Sequence, residues 1–419
     1  MIIGVADDVV VGGRLSDWIS LGLLTSSMPR DVVDEVVEST GRRAKRSDGK
    51  LPPRMMVYYA MALALFADDD YEEVATRLSE TLGSWGCWDE GWTVPTSGGI
   101  TQARQRLGFE PVKELFERVA VPVAEELTRG AFLGPWRLMA IDGFDWDVPD
   151  TKANLGAFGR AGSGEGASAF PKVRVVTISE CASHAMVAAR MGSYLGKGSG
   201  EQSLARELYP RLERDWMLIA DRNFYNFADW CAAADTGAAL LWRVKADLTL
   251  PLLRFEPDGS YLTVLVNPTV RGKAREQLMA AAKAGKDLDP TKARYARAVE
   301  YTVPDRPGDD ELICLVTTVT DLRRAPAQTL AQAYHERWEH ENANNQIKTH
   351  LRGPGRVLRS KSPDMVRQEI YGYLLTHYAI AALICRAATE ADIDPDRIKF
   401  KRTVRILRRR ATDPAAFPP

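Results

Sequence analysis

Two short apolar strands, each leading directly into an aspartate, constrain the fold of this 419-residue chain most strongly. Residues 137–142 read RLMAID and residues 215–221 read DWMLIAD. Further apolar runs of strand type occur at 172–178, 185–191 and 239–245. Strands alternating with helical segments are typical of an α/β sheet, in which ligands bind where the strands end. We therefore predict that Asp142 and Asp221 end two strands at one edge of a sheet.

The segment 334–348, YHERWEHENANNQIK, is rich in helix formers and carries an unusual stripe of polar residues. At about 100° of rotation per residue, Tyr334, Arg337, Glu341 and Lys348 fall within about 60° of one another. A hydroxyl, a guanidinium, a carboxylate and an ammonium on one face suit a phosphodiester with a bound metal ion better than a protein core. The spacing predicts one helix that runs from about residue 327 past Lys348.

Three carboxylates suffice to hold two divalent cations for phosphoryl transfer. Asp142, Asp221 and Glu341 are the predicted ligands, and Mg²⁺ is the cation that prefers such hard oxygen donors. Nearby acids compete for the same role: Asp145, Asp147, Glu336 and Glu339. Asp145 is the weaker choice because it points away from Asp142 in an extended strand, and Glu339 lies off the stripe.

The pattern Y-x(2)-R-x(3)-E-x(6)-K formed by these four residues resembles the signature of the DDE transposases of bacterial insertion sequences, family four. AIDG at 140–143 and ADRNFY at 220–225 are similar to the first and second aspartate motifs of that family. SGGITQARQRLG at 97–108 is similar to its N-terminal region.

This resemblance implies an α/β fold with a ribonuclease-H-like catalytic core and cut-and-paste transposition. It implies two Mg²⁺ ions, replaceable by Mn²⁺, and cleavage of transposon ends through a DNA hairpin. The implied partners are duplex DNA with terminal inverted repeats, target DNA, and a second copy of the chain in a paired-end complex. Tyr334, Arg337 and Lys348 become contacts to phosphates near the cleaved end.

The family also holds a flipped base on an aromatic residue of its insertion, and Trp242 is the candidate here. Trp242 lies in a strand pattern, LLWRVK, where alternation favours core packing over stacking on a base. Arg243 and Lys245 point to the other side of that strand and are available to DNA.

Five regions follow from the pattern. They are a helical DNA-binding region at 1–134, the first part of the core at 135–245, a β-rich insertion at 246–321, the last catalytic helix at 322–352, and a helical C-terminal region with a basic tail at 353–419. In the first region a helix at 97–107 is expected to expose Gln102, Arg104, Gln105 and Arg106. Residues 154–168 are expected to form a glycine-rich loop.

Composition limits the alternatives. The formal net charge of −1 excludes a chain that is basic throughout, so a DNA surface must be local, and basic runs at 42–54, 271–294 and 397–410 supply candidates. Five scattered cysteines argue against disulfides and a zinc site and favour the cytoplasm. The apolar run 371–387 predicts a core helix, with no role for a membrane. Two other functions remain open: a catalytically silent DNA-binding protein, and a ribonuclease-H-like nuclease that does not transpose.

Overall fold

The computed structural model describes residues 27–44, 51–79, 93–302 and 312–410, except 163, 197 and 246, and it describes only the backbone of 165 and 337–340. In these ranges one mixed β-sheet forms the centre. Helices cover its faces, and a helical layer built from both ends of the chain packs beside it.

The sheet contains ten of the described strands. In chain order they are β1 (Phe132–Leu133), β2 (Trp136–Asp147), β3 (Lys172–Glu180), β4 (Met186–Gly192), β5 (Trp216–Ala220), β6 (Ala239–Val244), β7 (Arg254–Phe255), β8 (Tyr261–Val266), β9 (Ala293–Thr302) and β10 (Leu312–Thr317). Their spatial order is β4-β3-β2-β5-β6-β10-β9-β8-β7, and β1 pairs with β2. Strands β2, β5 and β6 are mutually parallel, whereas β3 is antiparallel to both of its neighbours.

Strand β2 is longer than predicted, which changes the position of Asp142. The sequence pattern ends the strand at residue 142, but β2 continues to Asp147 because β3 pairs with it along Met139–Asp147. Asp142 is therefore in the middle of a strand, and that part of the prediction was wrong. Strand β5 stops at Ala220, as predicted, so Asp221 does follow a strand end.

The described helices, in chain order, are α1 (Arg30–Ser39), α2 (Pro53–Leu65), α3 (Tyr71–Ser79), α4 (Ser97–Leu107), α5 (Glu110–Val119), α6 (Lys152–Phe158), α7 (Glu201–Arg206), α8 (Phe227–Ala234), α9 (Gly272–Lys283), α10 (Ala327–His335), α11 (Arg337–Asn345), α12 (Pro363–Glu390) and α13 (Phe400–Arg410). A π-helical segment, Gln346–Leu351, continues α11. The predicted loop at 154–168 instead begins within α6.

Helix α12 is apolar and long enough to cross a membrane, but most of it is buried inside the protein, as expected for a core helix. It packs against α2, which is buried almost all round. At their crossing Gly372 faces the Ala60 carbonyl so closely that any side chain at 372 would clash with the α2 backbone. None of the four cysteines in the described part forms a disulfide.

Arg104 corrects the expected surface of α4. The sequence pattern predicts that Arg104 is exposed, but the residue is only 2% exposed. Its guanidinium donates to Gln368 Oε1 at 2.9 Å, to the Tyr71 hydroxyl at 2.6 Å and to Ser360 Oγ at 3.1 Å. Arg104 therefore joins the N-terminal helices to α12, and only the other three predicted side chains of α4 remain exposed.

The segment 246–321 extends the central sheet. Strands β7 and β8 form a hairpin whose first strand has only two residues, and β10 returns beside β6. The basic run at 271–294 contains α9, which the β-rich prediction did not include. Asp258 in the hairpin turn accepts a 2.8 Å hydrogen bond from the Ala327 backbone N–H and pairs with buried Arg297. The hairpin turn therefore holds the start of α10.

Candidate active site

The two predicted aspartates lie side by side on neighbouring parallel strands. Ile141 of β2 is in register with Ala220 of β5, so Asp142 and Asp221 are the next pair along. Neighbouring strands are about 4.8 Å apart. Each carboxylate also accepts a hydrogen bond from a backbone N–H that follows it: Asp142 Oδ1 from the Gly143 N–H at 2.8 Å, and Asp221 Oδ1 from the Asn223 N–H at 2.7 Å.

The helix that carries Glu341 follows β2 along one face of the sheet. Tyr334 shares a core cluster with Leu138 and Ala140, near the start of that strand. Ala343 and Ile347 belong to the cluster that contains Phe144 and Trp146, farther along it. Side chains at even-numbered positions of β2 share one face, so Asp142 points toward this helix. Because α11 packs directly against β2, half-buried Glu341 comes alongside the middle of the strand.

The predicted single helix is divided into three parts. Helix α10 ends before Glu336, α11 begins at Arg337, and the chain widens into the π-helical segment at Gln346. Tyr334, Glu341 and Lys348 therefore lie in three different parts. A π-turn has more residues per turn than an α-helix, so it rotates Lys348 relative to the predicted stripe; such turns occur frequently at functional sites.

The donor chemistry of these acids fits a magnesium site, although no preformed cage exists. Among the described residues, no three His, Cys, Asp or Glu side chains converge closely enough to hold a metal ion. Mg²⁺ usually takes one or two protein carboxylates and completes its shell with water and substrate phosphates. The adjacent Asp142 and Asp221 meet that requirement with oxygen donors alone.

Two competing acids already have structural partners. Asp145 accepts a hydrogen bond from the Tyr194 hydroxyl, and its Oδ1 lies 3.7 Å from Arg174 Nε. Burial and that hydrogen bond raise the pKa of Tyr194 to about 12. Asp147 lies 2.7 Å from Lys172 Nζ. Both acids therefore have structural roles in the described part of the chain. Glu336 lies at the junction of α10 and α11, and the Glu339 side chain is outside the described residues.

Glu201, which the sequence did not single out, lies at the same sheet edge. It begins α7 and packs against Gly143, and the neighbouring Gln202 donates to the Asn223 carbonyl at 2.5 Å. Burial raises the pKa of the Glu201 carboxyl; Arg174 opposes this, and the negative charges of Asp145 and Asp221 add to it. A glutamate in the first turn of a helix is common, so the sequence alone gave no distinguishing signal.

The predicted DNA contacts differ in exposure. Tyr334 is 4% exposed and Trp242 is fully buried, between the rings of Tyr209 and Trp230 at 6.0 and 5.4 Å. Trp242 thus packs in the core, and its ring offers no face to a base. Arg243 and Lys348 are half-buried. The Arg337 side chain lies outside the described residues, so its role stays a prediction.

A buried chain of hydrogen bonds fixes the start of the π-helical segment. Gln346 Nε2 lies 2.5 Å from His184 Nδ1, and Gln346 Oε1 lies 3.0 Å from His377 Nε2. His184 Nε2 lies 3.1 Å from Asp396 Oδ1. Complete burial lowers the pKa of His377 to about 3, so its ring is neutral and donates through Nε2. His184 has a backbone φ of 61°, a conformation that is rare for residues other than glycine.

Two known protein families match the chain. Residues 18–117 match the family described as insertion element 4 transposase N-terminal, and residues 135–378, more than half of the chain, match the transposase DDE domain. The sheet and the family match together define a ribonuclease-H-like DDE fold. The chain belongs to the DDE transposases of insertion-sequence family four.

Individual relatives are less than one-third identical to the chain. The chain is 28% identical over 336 residues to the transposase InsG for insertion sequence element IS4 of Escherichia coli K12, covering 78% of this chain and 69% of InsG. It is 29% identical over 179 residues to the putative transposase InsZ of the same organism, covering 42% of this chain and 56% of InsZ. A cryo-EM structure of the piggyBac transposase synaptic complex with hairpin DNA superimposes with a TM-score of 0.48 at 10% identity, covering 93% of this chain and 79% of that one.

Proposed function

We propose that the chain cuts DNA at transposon ends and joins them to target DNA in a metal-dependent reaction. The observation that carries the proposal is the register of β2 and β5, because Asp142 and Asp221 directly follow the paired residues Ile141 and Ala220 and the Glu341 helix packs against β2. In this proposal Asp142, Asp221 and Glu341 hold two Mg²⁺ ions, for which Mn²⁺ substitutes. Bound there, the ions supply activation of the attacking oxygen and stabilisation of the leaving oxygen.

The chain's own contribution is to hold DNA against these acids. Lys348 and Arg337 are proposed to bind phosphates beside the cleaved bond, Lys as a point charge and Arg through two parallel hydrogen bonds. Arg243 is proposed as a further contact from β6. Tyr334 stays a proposed phosphate contact through its hydroxyl, and this contact requires a rearrangement on DNA binding because both the ring and the hydroxyl are buried.

The course of the reaction is proposed from the family. It includes cut-and-paste excision through a hairpin at each end, and a dimer that pairs the two ends in the cytoplasm. The proposed partners are duplex DNA with terminal inverted repeats and target DNA.

The test uses matched substitutions at the two ends of one strand. Asp221→Asn removes the acid after β5, and Asp215→Asn removes an exposed acid before it. With a plasmid carrying the inverted repeats that flank the reading frame, Asp221→Asn and Glu341→Gln should abolish Mg²⁺-dependent cleavage. Asp215→Asn and Glu390→Gln should cleave like the parent. Persistent cleavage by Glu341→Gln would contradict the assignment.

Two other functions are separated by the same assay. Cleavage without capture of the excised ends in a target plasmid would identify a nuclease that does not transpose. Binding of the repeats without cleavage would identify a silent DNA-binding protein.

A further inference from the structure

The last described helix, α13, has one apolar face and one strongly basic face. Phe400, Val404 and Leu407 are buried against the protein. The solvent side and the turn before the helix carry six exposed cations: Lys399, Lys401, Arg402, Arg405, Arg409 and Arg410. There is no acid between Arg397 and Arg410. Among the described residues, none of the six forms a salt bridge.

Charge placement on α13 differs from that on the other helices. On two N-terminal helices a cation pairs with the acid four residues before it: Arg77 with Glu73 at 3.2 Å and Arg118 with Glu114 at 2.9 Å. On α13, Lys401, Arg405 and Arg409 instead follow one another at four-residue spacing. Like charges at that spacing destabilise a helix. A row that costs stability and has no acidic partner in the described part of the chain fits a polyanion outside the protein.

Arg408 attaches this helix to the proposed catalytic segment. Unlike its neighbours it points inward, donating to the Leu65 carbonyl at 2.5 Å and to the Leu351 carbonyl at 3.0 Å. Leu351 ends the π-helical segment that contains Lys348. The basic face is therefore held in a fixed position relative to Lys348.

A pocket of about 330 Å³ connects the basic face with the Glu341 helix. Asn342, Asn345 and His350 line it from the catalytic side, and Lys399 and Lys401 from the α13 side. Burial lowers the pKa of His350, and the positive charge of Lys401 lowers it further, so the two groups are close. Asn345 is one helical turn after Glu341, which separates their Cβ atoms by about 6 Å, roughly the length of one nucleotide.

We propose that this pocket and the outer face of α13 form one path for a DNA strand. The pocket receives the nucleotide next to the cleaved phosphate, and α13 binds the phosphates that follow. Amide groups donate and accept hydrogen bonds, so Asn342 and Asn345 suit a base edge, while ammonium groups suit phosphate. The inference rests on the proposed function, because it takes the Glu341 helix as the place of cleavage.

The experiment compares two triple variants of the full chain that lose the same charge. Lys401→Gln/Arg405→Gln/Arg409→Gln neutralises the row on α13. Arg211→Gln/Lys361→Gln/Arg386→Gln neutralises three exposed cations elsewhere. Affinity for a fluorescein-labelled DNA duplex of about 30 base pairs is measured by anisotropy over a range of salt. Each phosphate contact contributes about 0.9 to the slope of log K against log[salt].

The α13 variant should bind at least about tenfold more weakly at low salt, with a slope shallower by about 2 to 3. The control should keep both values and the melting temperature close to those of the parent. The α13 variant should melt at the parent's temperature or slightly above it, because it loses the row of like charges. Asn345→Leu should weaken binding to a duplex with a single-stranded end without changing the slope. Equal slopes for the two triple variants, or an Asn345→Leu chain that binds like the parent, would overturn the proposal. A parent chain that does not bind DNA would instead contradict the proposed function.

Discussion

The carboxylate of Glu201 lies against the Cα of Gly143, so that a Cβ at position 143 would stand 2.7 Å from Glu201 Oε1. This contact joins the first residue of α7 to the residue after Asp142. The contact gives a steric reason for glycine at position 143, because there is no room for a side chain. Backbone conformation is not the reason, because Gly143 lies in an extended strand and has no positive φ.

Gly143→Ala should therefore push Glu201 away from the sheet edge. We expect a loss of no more than about 1 kcal/mol in the free energy of unfolding, the low end for overpacked sites, because the atoms in the way belong to a flexible side chain. Adding Glu201→Ala to the same chain should recover part of that loss, because the clashing atoms are gone. Denaturant unfolding of both single variants and the double variant measures the coupling energy; additive losses would show that the two residues do not meet.

Glu201→Gln should change how stability depends on pH. Because the folded pKa of this carboxyl is raised, its ionised form opposes folding above the folded pKa, and the effect is absent below the unfolded pKa of about 4. The variant should thus melt at a higher temperature than the parent near pH 8, and the difference should vanish near pH 4. Glu207→Gln, at the other end of α7, is the control. An equal gain at both pH values would contradict this cause.

Gln346→Leu should destabilise the fold by about 1–3 kcal/mol, because it leaves ring nitrogens of His184 and His377 without their partner. Gln105→Leu removes an exposed amide and should change stability by less than about 0.5 kcal/mol. If Gln346 orients the π-helical segment, the DNA affinity that depends on Lys348 should fall as well. Chemical denaturation and anisotropy on the same samples test both effects.

His377 predicts a loss of stability in acid. Its folded pKa of about 3 is below the unfolded value, so its contribution is complete above about pH 6.5 and is lost as the pH falls toward 3. His377→Gln should be less stable than the parent at pH 7, yet it should lose less stability between about pH 6 and pH 4. Parallel unfolding curves for the two chains across that range would rule out the histidine as the cause.

The sequence predicted the strands around Asp221 well, because β5 is apolar throughout and its end is marked by a turn-forming acid. It ended β2 early, at Asp142. The pairing with β3, whose residues lie 25 to 33 positions farther along the chain, keeps residues 143–147 in the same strand. The burial of Arg104 could not be read from its helix, because its partners come mainly from residues 360–368.

The change from α-helix to π-helix could not be predicted from the local sequence pattern either. The predicted stripe from Tyr334 to Lys348 assumes that every residue rotates the helix by the same angle. In the structure the helix has a wider turn where Gln346 contacts His184 and His377. Trp242 shows the opposite case: strand alternation alone favoured the core, and the structure buries its ring. The contact between Glu201 and Gly143 could not be predicted from the sequence, because a glutamate in the first turn of a helix does not indicate which residue packs against it.

The pairing of β6 with β10 has a consequence for how the protein forms. Val244 and Cys314 are partners although seventy residues separate them, and the intervening strands β9 and β8 must add to β10 on its other side. Pairing of strands that are far apart in sequence is slow, because the chain loses the entropy of loop closure before the stabilising contacts form. The Ala327 N–H at the start of α10 bonds Asp258 in the β7–β8 turn, so we expect α10 and the Glu341 that follows it to be positioned only after the insertion has folded. Under the proposed function, a nascent or partly folded chain would carry Asp142 and Asp221 without Glu341 and would not cut DNA.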